Sequence, residues 1–103
     1  MLSDVELAKL KKILTGNEDL APIFRILSDP TRCNIFRAFL PAKRLCVTDI
    51  VNLFSISMSS ASQHLKTLEQ GEMLRRERVG REIYYFPSDK NKIVNAIKRV
   101  VQS

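Results

Sequence analysis

Apolar residues recur at helical spacing through the first two thirds of the chain, switch to alternation, and return to helical spacing at the end. Val5, Leu7, Ala8, Leu10, Ile13 and Leu14 make one wide apolar face, with Lys9, Lys11 and Lys12 mostly off it. This predicts an amphipathic helix over about 4–14, closed by Thr15-Gly16. A second, short helix is expected from Asn17 or Asp19 to Leu27, with Leu20, Ile23, Phe24 and Leu27 inward and Pro22 near its first turn. Asp29 then serves as an N-cap and Pro30 fits the first position of a third helix. That helix places Ile35, Phe36, Phe39 and Leu40 inward and is expected to stop before Pro41.

After a loop carrying Lys43 and Arg44, a fourth helix begins near Val47-Thr48 and is expected to bury Ile50, Leu53 and Phe54. Ser55-Ile56 reads as a tight connection, and Ser57 caps a fifth helix with Ala61, Leu65 and Leu68 as its inner stripe. Gly71 ends that helix. Two strands follow at about 73–78 and 82–86, where Ile83, Tyr84, Tyr85 and Phe86 suit β-structure. Val79 tolerates positive φ poorly, so Gly80 alone should take the left-handed position of the turn. Pro87-Ser88-Asp89 is expected to cap a last helix over about 89–101, with Ile93, Val94, Ile97, Val100 and Val101 on one face. The expected fold is mostly α with a small β-hairpin wing: a winged helix-turn-helix of about six helices. It forms a single domain over 1–103, with the helix-turn-helix at about 47–70 and the wing at about 73–86.

Composition sharpens the picture mainly through charge. Seventeen Lys+Arg against eleven Asp+Glu give a formal net charge of +6, which favours a polyanionic partner. The excess is local. Residues 1–24 hold three lysines and four acids, whereas Lys66, Arg75, Arg76, Arg78 and Arg81 face only Glu69, Glu72 and Glu77 over 66–81. No apolar run approaches the ~20 residues of a membrane span, and the N-terminus lacks a basic stretch followed by an apolar one. A cytoplasmic protein is the expectation. No Gly-rich phosphate loop, His/Asp/Ser constellation or carboxylate pair is evident, so neither enzymatic activity nor a cofactor is expected.

The fifth helix carries a small, hydrogen-bonding outer face that can enter a DNA major groove. Ser59, Ser60, Ser62 and Gln63 occupy its first turns, where a recognition helix meets base edges. Gln63 can pair bidentately with adenine, and the serines can bond to bases or phosphates. Ser57, with the helix N-terminus, should hold a phosphate, and Lys66 extends the basic side of the face. His64 either contacts DNA or orients neighbouring groups. Arg78 and Arg81 flank the wing tip and should reach phosphates or the minor groove. Arg75 and Arg76 point to opposite strand faces, so one of them, assigned as Arg76, faces DNA. Alternation likewise sends one of Tyr84 and Tyr85 into the core, which argues against a base-stacking platform for RNA.

Three spaced motifs carry a family resemblance. They are Leu27-Ser28-Asp29-Pro30-Thr31-Arg32, Ser59-Ser60-Ala61-Ser62-Gln63-His64-Leu65 and Gly80-Arg81-Glu82-Ile83-Tyr84-Tyr85. With the element order, they closely resemble the ArsR/SmtB family of winged-helix repressors over about residues 20–87. The resemblance implies a homodimer, built mainly from the helices at about 4–14 and 89–101, that binds an inverted-repeat operator in double-stranded DNA and represses transcription. The two amphipathic faces at the chain ends exceed what one small domain easily hides, which agrees. Two departures stand out: Ser55 takes a turn position usually held by Gly, and Gly71-Glu72 replaces Ala-Gly after the fifth helix.

Many relatives sense metals through Cys-Val-Cys-Asp at the start of the fourth helix, where this chain has Cys46-Val47-Thr48-Asp49. Thr48 is a poor soft-metal ligand. Others use Asp and His on the last helix, which here offers Asp89 but no histidine. No metal site is therefore expected, and the effector is left open. Cys33 reads as a small packing residue. A Cys33–Cys46 disulfide, or a thiol/redox-responsive repressor using Cys46 alone, stands as an alternative. A winged-helix module for protein or RNA is the other.

Overall fold

One shared hydrophobic core positions the elements. The structure, a computed structural model, describes residues 1–15 and 20–102. In chain order these form α1 (Asp4–Thr15), α2 (Leu20–Leu27), α3 (Pro30–Ala42), α4 (Val47–Phe54), α5 (Met58–Gln70), β1 (Leu74–Val79), β2 (Glu82–Pro87) and α6 (Lys92–Gln102). The Gly16 stop and the Asn17/Asp19 start expected for the first two helices lie outside the described residues. Among the described residues, no helix is long and apolar enough to cross a membrane.

Local hydrogen bonds explain most helix starts. Ser3 Oγ accepts from the Glu6 backbone N–H at 3.1 Å while Glu6 Oε1 accepts from the Ser3 N–H at 3.2 Å, a reciprocal cap on α1. Those bonds, the backbone one foremost, hold the Glu6 carboxyl below its usual range. Asp29 Oδ1 accepts from the Arg32 N–H at 2.9 Å, and Pro30 follows as expected. Arg32 Nε then donates to the Ile26 carbonyl at 2.7 Å, which ties the start of α3 to the end of α2. The last helix departs from expectation: Asn91, not Asp89, is the cap. Asn91 Oδ1 accepts from the Ile93 and Val94 N–H groups at 2.9 and 3.1 Å, and its Nδ2 donates to the Glu72 carbonyl at 3.0 Å. One side chain thus serves the helix and the strand connection together, and α6 begins at Lys92.

Pro41 does not stop α3, which runs on to Ala42. At this last turn the missing amide would have bonded only the carbonyl of Arg37, an exposed residue. Buried Leu40 keeps the turn seated, and Lys43 closes it with φ 68° and an N–H bond to the Phe39 carbonyl.

The core joins Ile35, Phe36, Phe39 and Leu40 of α3 to Ile50 of α4, the Ala61/Leu65/Leu68 stripe of α5, Met73, Leu74, Tyr85 and Val94. Phe24 and Leu53, expected inside, are instead 65% and 60% exposed. In both short helices the buried and half-buried row keeps Ile23 and Leu27, and Ile50 and Phe54, and replaces Phe24 and Leu53 with neighbours. It comprises Ile23, Ile26 and Leu27 in α2, and Val47, Ile50, Val51 and Phe54 in α4.

The wing is an antiparallel hairpin running from Leu74↔Pro87 to Val79↔Glu82, one residue beyond the expected strand ends. Gly80, at φ 65°, takes the left-handed position in the loop Gly80-Arg81, and Val79 does not. Leu45 bridges Tyr85 from outside the hairpin, each accepting the other's N–H, at 3.1 and 2.8 Å. Ser55 is left-handed (φ 53°, ψ 44°), at a cost of up to ~1 kcal/mol relative to Gly. After α5 the left-handed residue is Glu72 (φ 60°), whereas Gly71 keeps φ −82°. A Cβ at Gly71 would meet Ile26 Cδ1, the end of a flexible side chain.

One end of the chain stands clear of this core. Residues 4–12 of α1 are all exposed, Val5, Leu7 and Leu10 included. The radius of gyration is 15.9 Å, against about 13 Å for a compact domain of this length.

Candidate nucleic-acid interface

Helix α5 buries one side and leaves the opposite side polar. Ser57 caps it, its Oγ accepting from the Ser60 N–H at 3.0 Å, so the first turn is fixed before any ligand arrives. Ala61, Leu65 and Leu68 face the core, which turns Ser59, Ser62, Gln63 and Lys66 outward, all exposed. Ser60 is half-buried on the flank of this arc. Met58, at the first helical position, is 53% exposed and one turn before Ser62. Sequence reasoning passed it over because an apolar residue beside a cap reads as core.

His64 leans the other way. It is half-buried, and its Nδ1 is enclosed without a hydrogen-bond partner. The Arg32 backbone N–H chiefly holds the Asp29 carboxyl below its usual range, and the charges of His64 and Arg32 add to this against partial desolvation. The imidazole therefore lies within electrostatic reach of Asp29 at the start of α3.

The wing sorts its arginines by strand face. Arg76 and Arg78 share a face with buried Leu74 and Tyr85, whereas Arg75 pairs across the hairpin with Phe86 on the other. Arg76 Nε lies 3.5 Å from Glu69 Oε2 on α5, so its charge is partly answered within the protein. Arg78 Nε donates to the Gly80 carbonyl at 3.2 Å and braces the turn. Arg81, at the tip, is exposed and makes no hydrogen bond or ion pair among the described residues. Arg75 is paired with Glu77 and stacks over Phe86 at 4.3 Å, and Arg44 stacks over Tyr84 at 4.5 Å. Tyr85 is the inward tyrosine, 7% exposed. Among the described residues, Lys66 on the exposed face of α5 and Arg78 and Arg81 on the wing make no ion pair.

Cys33 and Cys46 are free and half-buried. Cys46 precedes α4, where its Sγ donates to Asp49 Oδ2 at 3.2 Å and its N–H donates to the same oxygen at 2.9 Å. Among the described residues, no cluster of three or more His, Cys, Asp or Glu is placed to hold a metal ion.

A helix-turn-helix domain model matches residues 27–77, from the end of α2 into β1. A cadmium resistance transcriptional regulatory protein, CadC of Listeria innocua, is 33% identical over 82 residues, covering 80% of this chain and 69% of that one. A transcriptional repressor SmtB homolog of Synechocystis is 32% identical over 83 residues, covering 81% of this chain and 61% of that one. The chain belongs to the ArsR/SmtB family. The solved structure of the transcriptional repressor PagR of Bacillus anthracis superposes with a TM-score of 0.67 at 29% identity, covering 93% of this chain and 99% of that one. The motifs that suggested the ArsR/SmtB family thus sit where its fold needs them: Asp29-Pro30 opens α3, the serine row lies on α5, and Gly80-Arg81 turns the wing. It is a winged helix-turn-helix DNA-binding regulator.

Proposed function

We propose that this protein represses transcription as a cytoplasmic homodimer bound to an inverted-repeat operator. The N-terminal half of α5 enters the major groove, and the wing lies along the adjacent backbone. The observation that carries this reading is the exposed row Ser59, Ser62, Gln63 and Lys66 on α5; the wing adds Arg81, which makes no ion pair among the described residues. Gln63 reads a base edge, the serines bond to bases or phosphates, and Lys66 and Arg81 neutralise phosphates. Ser57 and the first N–H groups of α5 take a further phosphate. Arg76 and Arg78 contribute less, because Glu69 and the Gly80 carbonyl already engage them.

Dimerisation follows from the apolar surface left open on α1 and at the end of α6, where Val100 is 75% exposed. A second copy offers the same faces in return and brings a second α5 to the other half-site. The role is recognition, not catalysis. Cadmium sensing does not pass to this chain with the resemblance to CadC, since Thr48 stands where a second thiolate is needed.

The test is binding to the chain's own upstream DNA and to a scrambled duplex, followed by fluorescence anisotropy across salt, with and without reductant. Tight, salt-sensitive preference for the upstream duplex is expected. Equal, weak binding to both would overturn the proposal. A change of affinity with reductant that Cys46→Ser abolishes and Cys33→Ser leaves intact would give Cys46 the effector role.

A further inference from the structure

The exposed face of α5 holds one residue whose chemistry does not match its neighbours. Met58 is 53% exposed at the first helical position, directly after the Ser57 cap. Helical spacing places Met58, Ser62 and Lys66 in one row at i, i+4 and i+8. The exposed face therefore presents a flexible apolar group at its groove-entering end, a hydroxyl one turn on, and a cation beyond. A lone exposed methionine elsewhere on the surface would need no explanation. Here it projects from the helix turn that meets base edges.

The only apolar group that a base pair offers in the major groove is the 5-methyl of thymine. A thioether is polarizable and can take several rotamers, so it can close on that methyl while Ser62 bonds a neighbouring polar edge. We infer that Met58 reads a thymine methyl in each half-site of the operator, adding discrimination that the serines cannot supply. This rests on the reading of α5 as the recognition helix.

The probe is a duplex recovered by the wild-type protein from a random-sequence pool, with each thymine replaced in turn by deoxyuridine. One position per half-site should weaken wild-type binding about fourfold, the loss of one buried methyl group. Met58→Ala, which removes the contact in both half-sites of the dimer, should bind the thymine duplex about sixteenfold more weakly and be indifferent to uridine there. Met58→Leu should keep the methyl dependence. If wild type and Met58→Ala give the same uridine profile, the inference is overturned even though DNA recognition stands. If the pool yields no preferred duplex, the reading of α5 fails, and this inference fails with it. Far-UV circular dichroism, expected unchanged for both variants, separates a lost contact from a lost helix.

Discussion

Gly71 has only the terminal methyl of half-buried Ile26 in the space a side chain would need, and that methyl can turn aside. Its φ of −82° suits any residue, and the left-handed position falls on Glu72. Gly71→Ala should cost no more than about 1 kcal/mol, because only the end of the Ile26 side chain has to move. Adding Ile26→Val, which removes the clashing Cδ1, should make the pair lose less than the sum of the single changes in urea denaturation. Strict additivity would show that another contact sets the position. Caps were legible in the sequence where they are local: Asp29 and Ser57 bond amides three residues on, and nothing distant competes. Asn91 was not. Asp89 and Asn91 are both good caps, and the choice is tied to a bond to the Glu72 carbonyl, a partner nineteen residues away. Met58 was missed because it lies three residues before Ala61, so periodicity puts it near the inner stripe, yet it is exposed.

At the scale of elements, the order of helices and hairpin was plain, because each long apolar row has one period and a polar boundary. The short helices were harder. Eight residues give barely two turns, so Phe24 and Leu53 could be counted inward with little to contradict them. The wing illustrates what strand alternation does and does not supply. It separated Arg75 from Arg76, but it could not reveal that Glu69 on α5 partly neutralises Arg76. That difference can be measured. Arg81→Ala should reduce the slope of log affinity against log salt by about 1.8, one phosphate from each protomer of the dimer, on specific and scrambled DNA alike. Arg76→Ala should reduce it by less. Equal reductions, or an Arg81→Ala slope that stays at the wild-type value, would contradict this division of labour.

On the scale of the whole molecule, the chain is longer and less enclosed than a solitary domain. Its principal extents are 53 × 26 × 25 Å, and exposed α1 and Val100 leave apolar surface at the ends of the chain. The amphipathic faces that suggested dimerisation were legible as patterns, but a periodic face does not say whether its own core or another copy covers it. For the proposed dimer, Leu7→Asp or Val100→Asp should shift the sedimenting species to the monomer and abolish tight operator binding, with helix content retained. A variant that kept wild-type size would remove those faces from the interface. The reciprocal bonds between Leu45 and Tyr85 bear on how such a molecule moves. They fasten the segment entering α4 to the middle of the wing, so the hairpin cannot swing as a free finger. Its tilt is geared to the loop after α3. A deletion or a bulky adduct at Arg44 or Cys46 would therefore be felt at Arg81 as a change of reach along the duplex.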